Sequence, residues 1–280
     1  MPFLHRRPRP PLDSSIDSLW FCRNPRSPLA LERVLPTGAP QLVINLAEDQ
    51  TRVYEAGPRG IACTVSPGST LTGITTRALI IDTAEQEHAA GVCFKPGGTL
   101  PFCNTSGLEL ANAEIPLECL WGRSAIQRLR EQLLQAHSPH HALDTLEASL
   151  LAACKPRVLH PVTAFALREF AASPSLVRTR AVADAAGLSP KRFIERFKTE
   201  IGITPKQYCR LLRFQEAVRA AHSSRLDWTR LAADCGYYDQ AHFIHDFREF
   251  SGLTPSAYRA ASTEFQNHVT FLQSPENRIG

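Results

Sequence analysis

Gly202-Ile203-Thr204-Pro205-Lys206-Gln207-Tyr208 and Gly252-Leu253-Thr254-Pro255-Ser256-Ala257-Tyr258 carry one pattern, Gly-x-Thr-Pro-x-x-Tyr, twice in a 280-residue chain. Upstream of each lies an aromatic pair four residues apart, Phe193/Phe197 and Phe243/Phe247. Further upstream each has a small apolar run reaching a glycine: Val182-Ala183-Asp184-Ala185-Ala186-Gly187 and Leu231-Ala232-Ala233-Asp234-Cys235-Gly236. The copies are offset by 49 residues at the turn glycine and by 50 from the aromatic pair onward, so the second turn carries one extra residue. A short helix, a glycine turn and an amphipathic second helix make a helix-turn-helix unit, here in tandem. Thr204 and Thr254 suit N-caps, with Pro205 and Pro255 at the first helical position, where a missing N–H costs nothing. A long helix from Thr204 to Ala221 is expected between the units, with Tyr208, Leu211, Leu212, Gln215 and Val218 at helical spacing. It would hold the two second helices at one relative orientation.

A recognition helix must pack one face on its own domain and offer the other to the major groove. With Phe193 set at zero, Phe197 falls at about 40° around the helix. Opposite lie Lys191, Glu195 and Lys198, with Arg192 on the flank; Arg196 completes the first candidate set. The second unit offers Ala241, His245 and Arg248, with His242 on the flank and Gln240 at the helix N-terminus. Lys191 and Arg192 suit guanine, and Glu195 can accept from cytosine. Gln240 suits adenine, the histidines suit acceptors and the Ala241 methyl suits thymine. The two sets differ, so an asymmetric site on double-stranded DNA is expected. One such helix alone is equally well read as a solvated surface; two in tandem with identical closing motifs are not.

Charge agrees with this. Between Pro156 and Ala260 there are 16 Lys and Arg against 10 Asp and Glu, whereas the rest of the chain holds 15 against 17. The basic excess sits on the repeat, as phosphate binding requires. No apolar run approaches the ~18 residues of a membrane span. Met1 to Pro11 holds Arg6, Arg7 and Arg9 without an apolar core behind them, which is not a secretory signal. The eight scattered cysteines, with no Cys-x-x-Cys, read as reduced thiols of a cytoplasmic protein.

The repeat resembles the DNA-binding module of the AraC/XylS family of bacterial transcription regulators over roughly Pro161 to Ala260. The resemblance implies a seven-helix domain, two helices inserted in adjacent major-groove segments, and a regulator that is more often an activator. Such a regulator is expected to meet RNA polymerase. One departure stands out. Many members carry arginine where this chain has Glu195 and an apolar residue where it has Arg196, so the bases read by the first helix are not carried over.

The front part is punctuated by Pro36-Thr37-Gly38, Gly57-Pro58, Ser66-Pro67-Gly68 and Pro96-Gly97-Gly98, with strand-length runs at Gln41–Leu46 and Ala78–Ile81. Many short strands with such turns suggest a barrel or sandwich. Leu35–Leu46, Ala90–Gly98 and Ile115–Gly122 resemble the cupin-like β domain found in one branch of the family, which implies a sensing or dimerising role. The expected class is therefore α+β in two domains, a β-rich cupin-like barrel with linker helices and an all-α domain of two helix-turn-helix units. The expected divisions are a disordered arm (1–13), a β-rich domain (14–117), linker helices (118–155), the DNA-binding domain (156–260) and a tail (261–280) that docks or stays loose. Trp20, Phe21, Tyr54, Phe94 and Phe102 are the candidates to line a small-molecule effector pocket, against the alternative that they fill the core. A homodimer is the other expected association.

Neither cofactor nor catalysis is expected. A metal-binding cupin needs several converging histidines, and between Ser14 and Ala136 there is one, His88, near Glu85 and Glu87. His137, His140 and His141 surround Pro139, which interrupts helical ligand spacing and suggests a solvated loop. Cys93 and Cys103 flank the Pro-Gly-Gly turn, where only Lys95 would activate a thiol, so core packing is the better reading. The alternative class is a cupin-type enzyme with accessory DNA binding.

Overall fold

Two antiparallel sheets and eleven α-helices account for most of the chain in the computed structural model, which describes residues 3–23, 31–57, 60–174, 179–221, 228–263 and 265–271. The strands are β1 (Phe3–Arg6), β2 (Ile16–Arg23), β3 (Leu31–Val34), β4 (Gln41–Asn45), β5 (Gln50–Gly57) and β6 (Gly60–Pro67), then β7 (Ser69–Thr72), β8 (Leu79–Asp82), β9 (His88–Phe94), β10 (Glu114–Pro116) and β11 (His268–Thr270). One sheet runs β1-β2-β9-β4-β7-β10 and the other β11-β3-β8-β5-β6. Strand pairing is what the Gly/Pro punctuation requires, with β6 passing into β7 through Gly68 alone.

Alternation decides which side of the six-stranded sheet is covered. Leu19, Phe21, Leu42, Ile44, Ala90, Val92 and Phe94 share one face and are buried. Linker helices α3 (Arg123–Leu134) and α4 (Pro139–Ala153) cover that face through Ile126, Leu129, Leu133, Leu143, Leu146 and Leu150. Between β9 and α3 lie two short helices, α1 (Gly107–Leu110) and α2 (Leu117–Trp121). On the opposite face Trp20 lies over Gly91, where an added Cβ would sit 2.3 Å from the indole. Pro139 does not interrupt a helix: it opens α4 behind the N-cap Ser138, because proline fits the first turn. His140 and His141, expected in a solvated loop, therefore lie in the first turn of α4.

The expected arm is corrected, and the tail takes the docked of its two expected alternatives. Phe3–Arg6 is not disordered but pairs with β2, from Phe3 with Cys22 to Arg6 with Leu19. The prolines of this arm fall outside that run, leaving its N–H groups free to pair. Arg6 and Arg9 then hold α4 through Asp144 and the buried Glu147. The tail returns to the front domain as β11, with Val269 fully buried opposite Arg33. Met1 and Pro2 of the arm and residues 272–280 of the tail lie outside the described residues.

The C-terminal region contains seven helices among the described residues: α5 (Pro161–Ala172), α6 (Thr179–Ala185), α7 (Pro190–Ile201), α8 (Pro205–Ala220), α9 (Trp228–Asp234), α10 (Gln240–Ser251) and α11 (Pro255–Ala261). They enclose one core in which Phe193, Phe197, Phe243 and Phe247 are fully buried. Leu35 and Ile74 of the front domain belong to the same core, so the two domains are packed together. Gln215 on α8 donates to the Pro36 carbonyl at 2.7 Å, and the Ala78 amide donates to the Phe250 carbonyl at 2.8 Å.

Candidate nucleic-acid interface

The two helix-turn-helix units are built by the same local bonds. After α6, Gly187 takes φ +67°, and the Leu188 amide reaches back to the Ala183 carbonyl at 3.0 Å. After α9, Gly236 takes φ +73°, and the Tyr237 amide reaches the Ala232 carbonyl at 2.9 Å. Both are left-handed turns that close a helix C-terminus, a conformation glycine adopts without a Cβ clash. Ser189 then caps α7 by accepting from the Arg192 amide, and Asp239 caps α10 by accepting from the His242 amide. The extra residue of the second turn is Tyr238, 92% exposed between the buried Tyr237 and the Asp239 cap.

Each second helix ends alike. Gly202 and Gly252 hold positive φ and cap α7 and α10 through the Lys198 and Arg248 carbonyls. Thr204 makes a full capping box with Gln207, and Thr254 accepts from the Ala257 amide. The closing tyrosines meet the aromatic pairs, Tyr208 at 5.7 Å from Phe197 and Tyr258 at 5.4 Å from Phe247. These contacts explain why Gly-x-Thr-Pro-x-x-Tyr follows each aromatic pair at fixed distance.

The outward faces are bare. Lys191, Arg192, Glu195 and Arg196 are exposed on α7, and Lys198 is half-buried. On α10, Gln240, Ala241, His242, His245 and Arg248 are exposed. Among the described residues no carboxylate pairs with the cations Lys191, Arg192, Arg196, Lys198 or Arg248. Their charge therefore remains available to an anionic partner.

One element of the interface was missed. Arg210 on α8 binds Asp246 on α10 with both nitrogens, Nε at 3.1 Å and a terminal NH2 group at 2.7 Å, and also reaches Glu249 at 2.5 Å. Burial pushes the Asp246 carboxyl up, but the Arg210 hydrogen bonds and charge outweigh it and hold the group below the ordinary carboxylate range. The clue was the charge reversal at one repeat position, Arg196 against Asp246. His245, Asp246 and Glu249 place three donor atoms within 4.8 Å of one another, but the Arg210 guanidinium already occupies the two carboxylates and excludes a cation there. Arg213 on α8 lies 4.8 Å from the Tyr237 ring and donates to the Gly236 carbonyl at 3.1 Å, tying the same helix to the second turn.

The five aromatic candidates for an effector pocket do not come together. Trp20 and Phe21 are consecutive on β2 and point to opposite faces. Phe21, Phe94 and Phe102 are core residues under the linker helices, and Tyr54 belongs to the other sheet. Cys93 and Cys103 are also separated, Cys93 on the Trp20 side of the sheet and Cys103 within the helix-covered core, and burial pushes both thiols up. Glu85 is buried against Arg52.

A family model described as a helix-turn-helix domain matches residues 182–261. The C-terminal third is an AraC-type helix-turn-helix domain. A second model, a domain of unknown function (DUF6597), matches residues 4–116. Curated relatives align over stretches of about that length. An uncharacterized HTH-type transcriptional regulator of Haemophilus influenzae is 32% identical over 78 residues, 28% of this chain and 26% of the relative. The HTH-type transcriptional activator RhaR of Escherichia coli K12 is 30% identical over 81 residues, 29% of each. The chain thus spans about a quarter to a third of the length of these relatives. The solved structure of ToxT from Vibrio cholerae aligns over 93% of this chain and 98% of its own at 10% identity and a TM-score of 0.44. No described helix is long and apolar enough to cross a membrane.

Proposed function

We propose that the protein is a sequence-specific transcription regulator, an activator, that reads two adjacent major-groove segments of double-stranded DNA with α7 and α10. The observation that carries this reading is the pairing of two units closed by the same bonds, each leaving the outward face of its second helix exposed, with Lys191, Arg192, Arg196 and Arg248 on those faces free of carboxylate partners among the described residues. Lys191, Arg192, Glu195, Arg196 and Lys198 serve one half of the site, and Gln240, Ala241, His242, His245 and Arg248 the other. The helix N-termini and flanking cations hold phosphates, and the outward side chains read base edges. The β-rich domain modulates the module it packs against, in response to a small-molecule effector or a second copy of the chain. The protein works in the cytoplasm, meets RNA polymerase at its promoters and needs no cofactor for this role.

The test is selection of bound fragments from sheared genomic DNA of the source organism with the full-length protein at near-physiological salt. Enrichment of an asymmetric site with two patches about one helical turn apart is expected. Binding without sequence preference that vanishes with salt would mean phosphate contact alone and would sink the reading.

A further inference from the structure

Outside the β domain's interior, a cleft of about 620 Å³ opens between α2, α3, the end of α4 and the Phe102–Thr105 loop. That volume falls in the range of small-molecule sites. Its apolar floor is Leu120, Trp121, Leu129 and Ala152, and its rim carries two cations, Arg128 and Lys155. None of the residues lining it is acidic. Neither Arg128 nor Lys155 has a side-chain ion-pair partner among the described residues, whereas Arg130, on the same helix, is paired with Asp49 at 3.1 Å. Trp121 is fixed by its indole N–H, which donates to the Phe102 carbonyl at 2.9 Å, so the aromatic wall is set before any ligand arrives.

We propose that this cleft binds a small amphipathic anion, an aryl or short acyl carboxylate or sulfonate. Its charge lies between Arg128 and Lys155 and its apolar body lies on Trp121 and Leu129. The two cations supply the attraction that an uncharged apolar ligand would not use, and the floor supplies contact that inorganic phosphate would not use. The location gives an occupant leverage on the interface. The Phe102–Thr105 wall leads directly into α1, where an added Cβ on Gly107 would sit 2.5 Å from the Glu200 carbonyl at the end of α7. The same wall anchors the connector to the helical domain, since Arg157 donates to the Cys103 carbonyl at 3.0 Å and the Lys155 amide to Pro101 at 2.8 Å.

The test uses 8-anilinonaphthalene-1-sulfonate as the probe and the full chain, and needs no DNA, so its failure is separate from any failure of the DNA-binding reading. The exposed Cys119 lines the cleft, and the exposed Cys63 on β6 does not. Saturable fluorescence enhancement is expected, with slower iodoacetamide labelling of Cys119 and unchanged labelling of Cys63 by mass spectrometry. The exposed double substitution Arg128→Gln/Lys155→Gln should weaken the probe at least tenfold, and Ala152→Trp should block it by filling the floor. Absent binding, Cys119 labelled at the same rate with probe present, or equal affinity in both variants would overturn the proposal.

Discussion

Removing Arg210 should release α10 from α8, and the size of the effect follows from burial. The Asp246 side chain is 2% exposed and Arg210 19%, so Arg210→Ala leaves a carboxylate nearly buried without its partner. Breaking such a pair from one side costs roughly 3–5 kcal/mol. The low end, about 3 kcal/mol, applies because His242 and His245 have ring nitrogens 3.7 and 3.6 Å from the same oxygen and can share its charge. Glu249, 46% exposed, adds about 0.5 kcal/mol or less. At about 1.4 kcal/mol per decade, amide hydrogen exchange across α10 should accelerate roughly 100-fold at pH 7. Its pH dependence has a definite sign. In the wild type the depressed Asp246 pKa stabilises the fold above the ordinary carboxylate range, and this is lost as pH falls through the native pKa. In Arg210→Ala burial acts without the guanidinium, the pKa rises, and the penalty disappears once the carboxyl protonates. The variant-to-wild-type exchange ratio should therefore narrow steadily from pH 7 towards about pH 4. Adding Asp246→Asn should restore more than half of the protection. An acceleration below about threefold, or a ratio independent of pH, would refute the argument.

Phe197→Ala should cost about 3–5 kcal/mol, since the ring is fully buried against Phe170, Phe193 and Tyr208; an unchanged melting profile by calorimetry would contradict the packing. Gly202→Ala places a Cβ 2.6 Å from the Gly107 carbonyl at φ +107°, so thermal stability should fall and protease cleavage near α1 should rise; tolerance would mean the domains separate there in solution. Burial raises the Glu85 pKa to about 7 despite Arg52, so its charged form destabilises the fold as pH climbs from the ordinary carboxylate value through 7. Glu85→Gln should accordingly gain roughly 1 kcal/mol in urea unfolding at pH 8 and nothing near pH 4; equal effects at both would reject the desolvation argument. Lys191→Ala or His245→Ala should each weaken binding to a selected DNA site by roughly 1–3 kcal/mol and relax preference at one base position; uniform loss across all sequences in a competition assay would assign the residue to phosphate.

The helical domain was legible because its signals are local. Turn glycines, N-cap threonines, first-turn prolines and aromatic pairs each fix a bond or a buried ring within a few residues of themselves. The outward helix faces followed from 100° steps: Lys191, Arg192 and Glu195 on α7 and Ala241, His245 and Arg248 on α10 are exposed, whereas Lys198 is half-buried. What escaped depends on partners far away in sequence. Arg210 meets Asp246 only after α8 and α10 have packed. The Phe3–Arg6 strand looked like a proline-rich arm because its partner Leu19–Cys22 cannot be inferred from the arm itself. The aromatic pocket failed for a different reason: composition shows that rings are present, whereas strand alternation and the helices above the sheet decide where they point.

The pairing of His268–Thr270 with Glu32–Val34 gives the molecule an insertion topology. The β unit contributes strands on both sides of the helical region in sequence, so that region leaves it at the connector after α4 and returns to it at β11. A domain held by one linker can swing freely about it; a domain whose chain leaves and comes back is a closed loop and can only tilt or slide. The same closure makes the second sheet a long-range structure, because its edge strand is separated from its partner by the whole helical domain. Such contacts form late, after the entropy of closing the loop has been lost. Cutting the chain just after α11 would accordingly do more than shorten it. It would uncover the backbone edge of β3, leaving unpaired N–H and C=O groups that invite strand addition by another molecule.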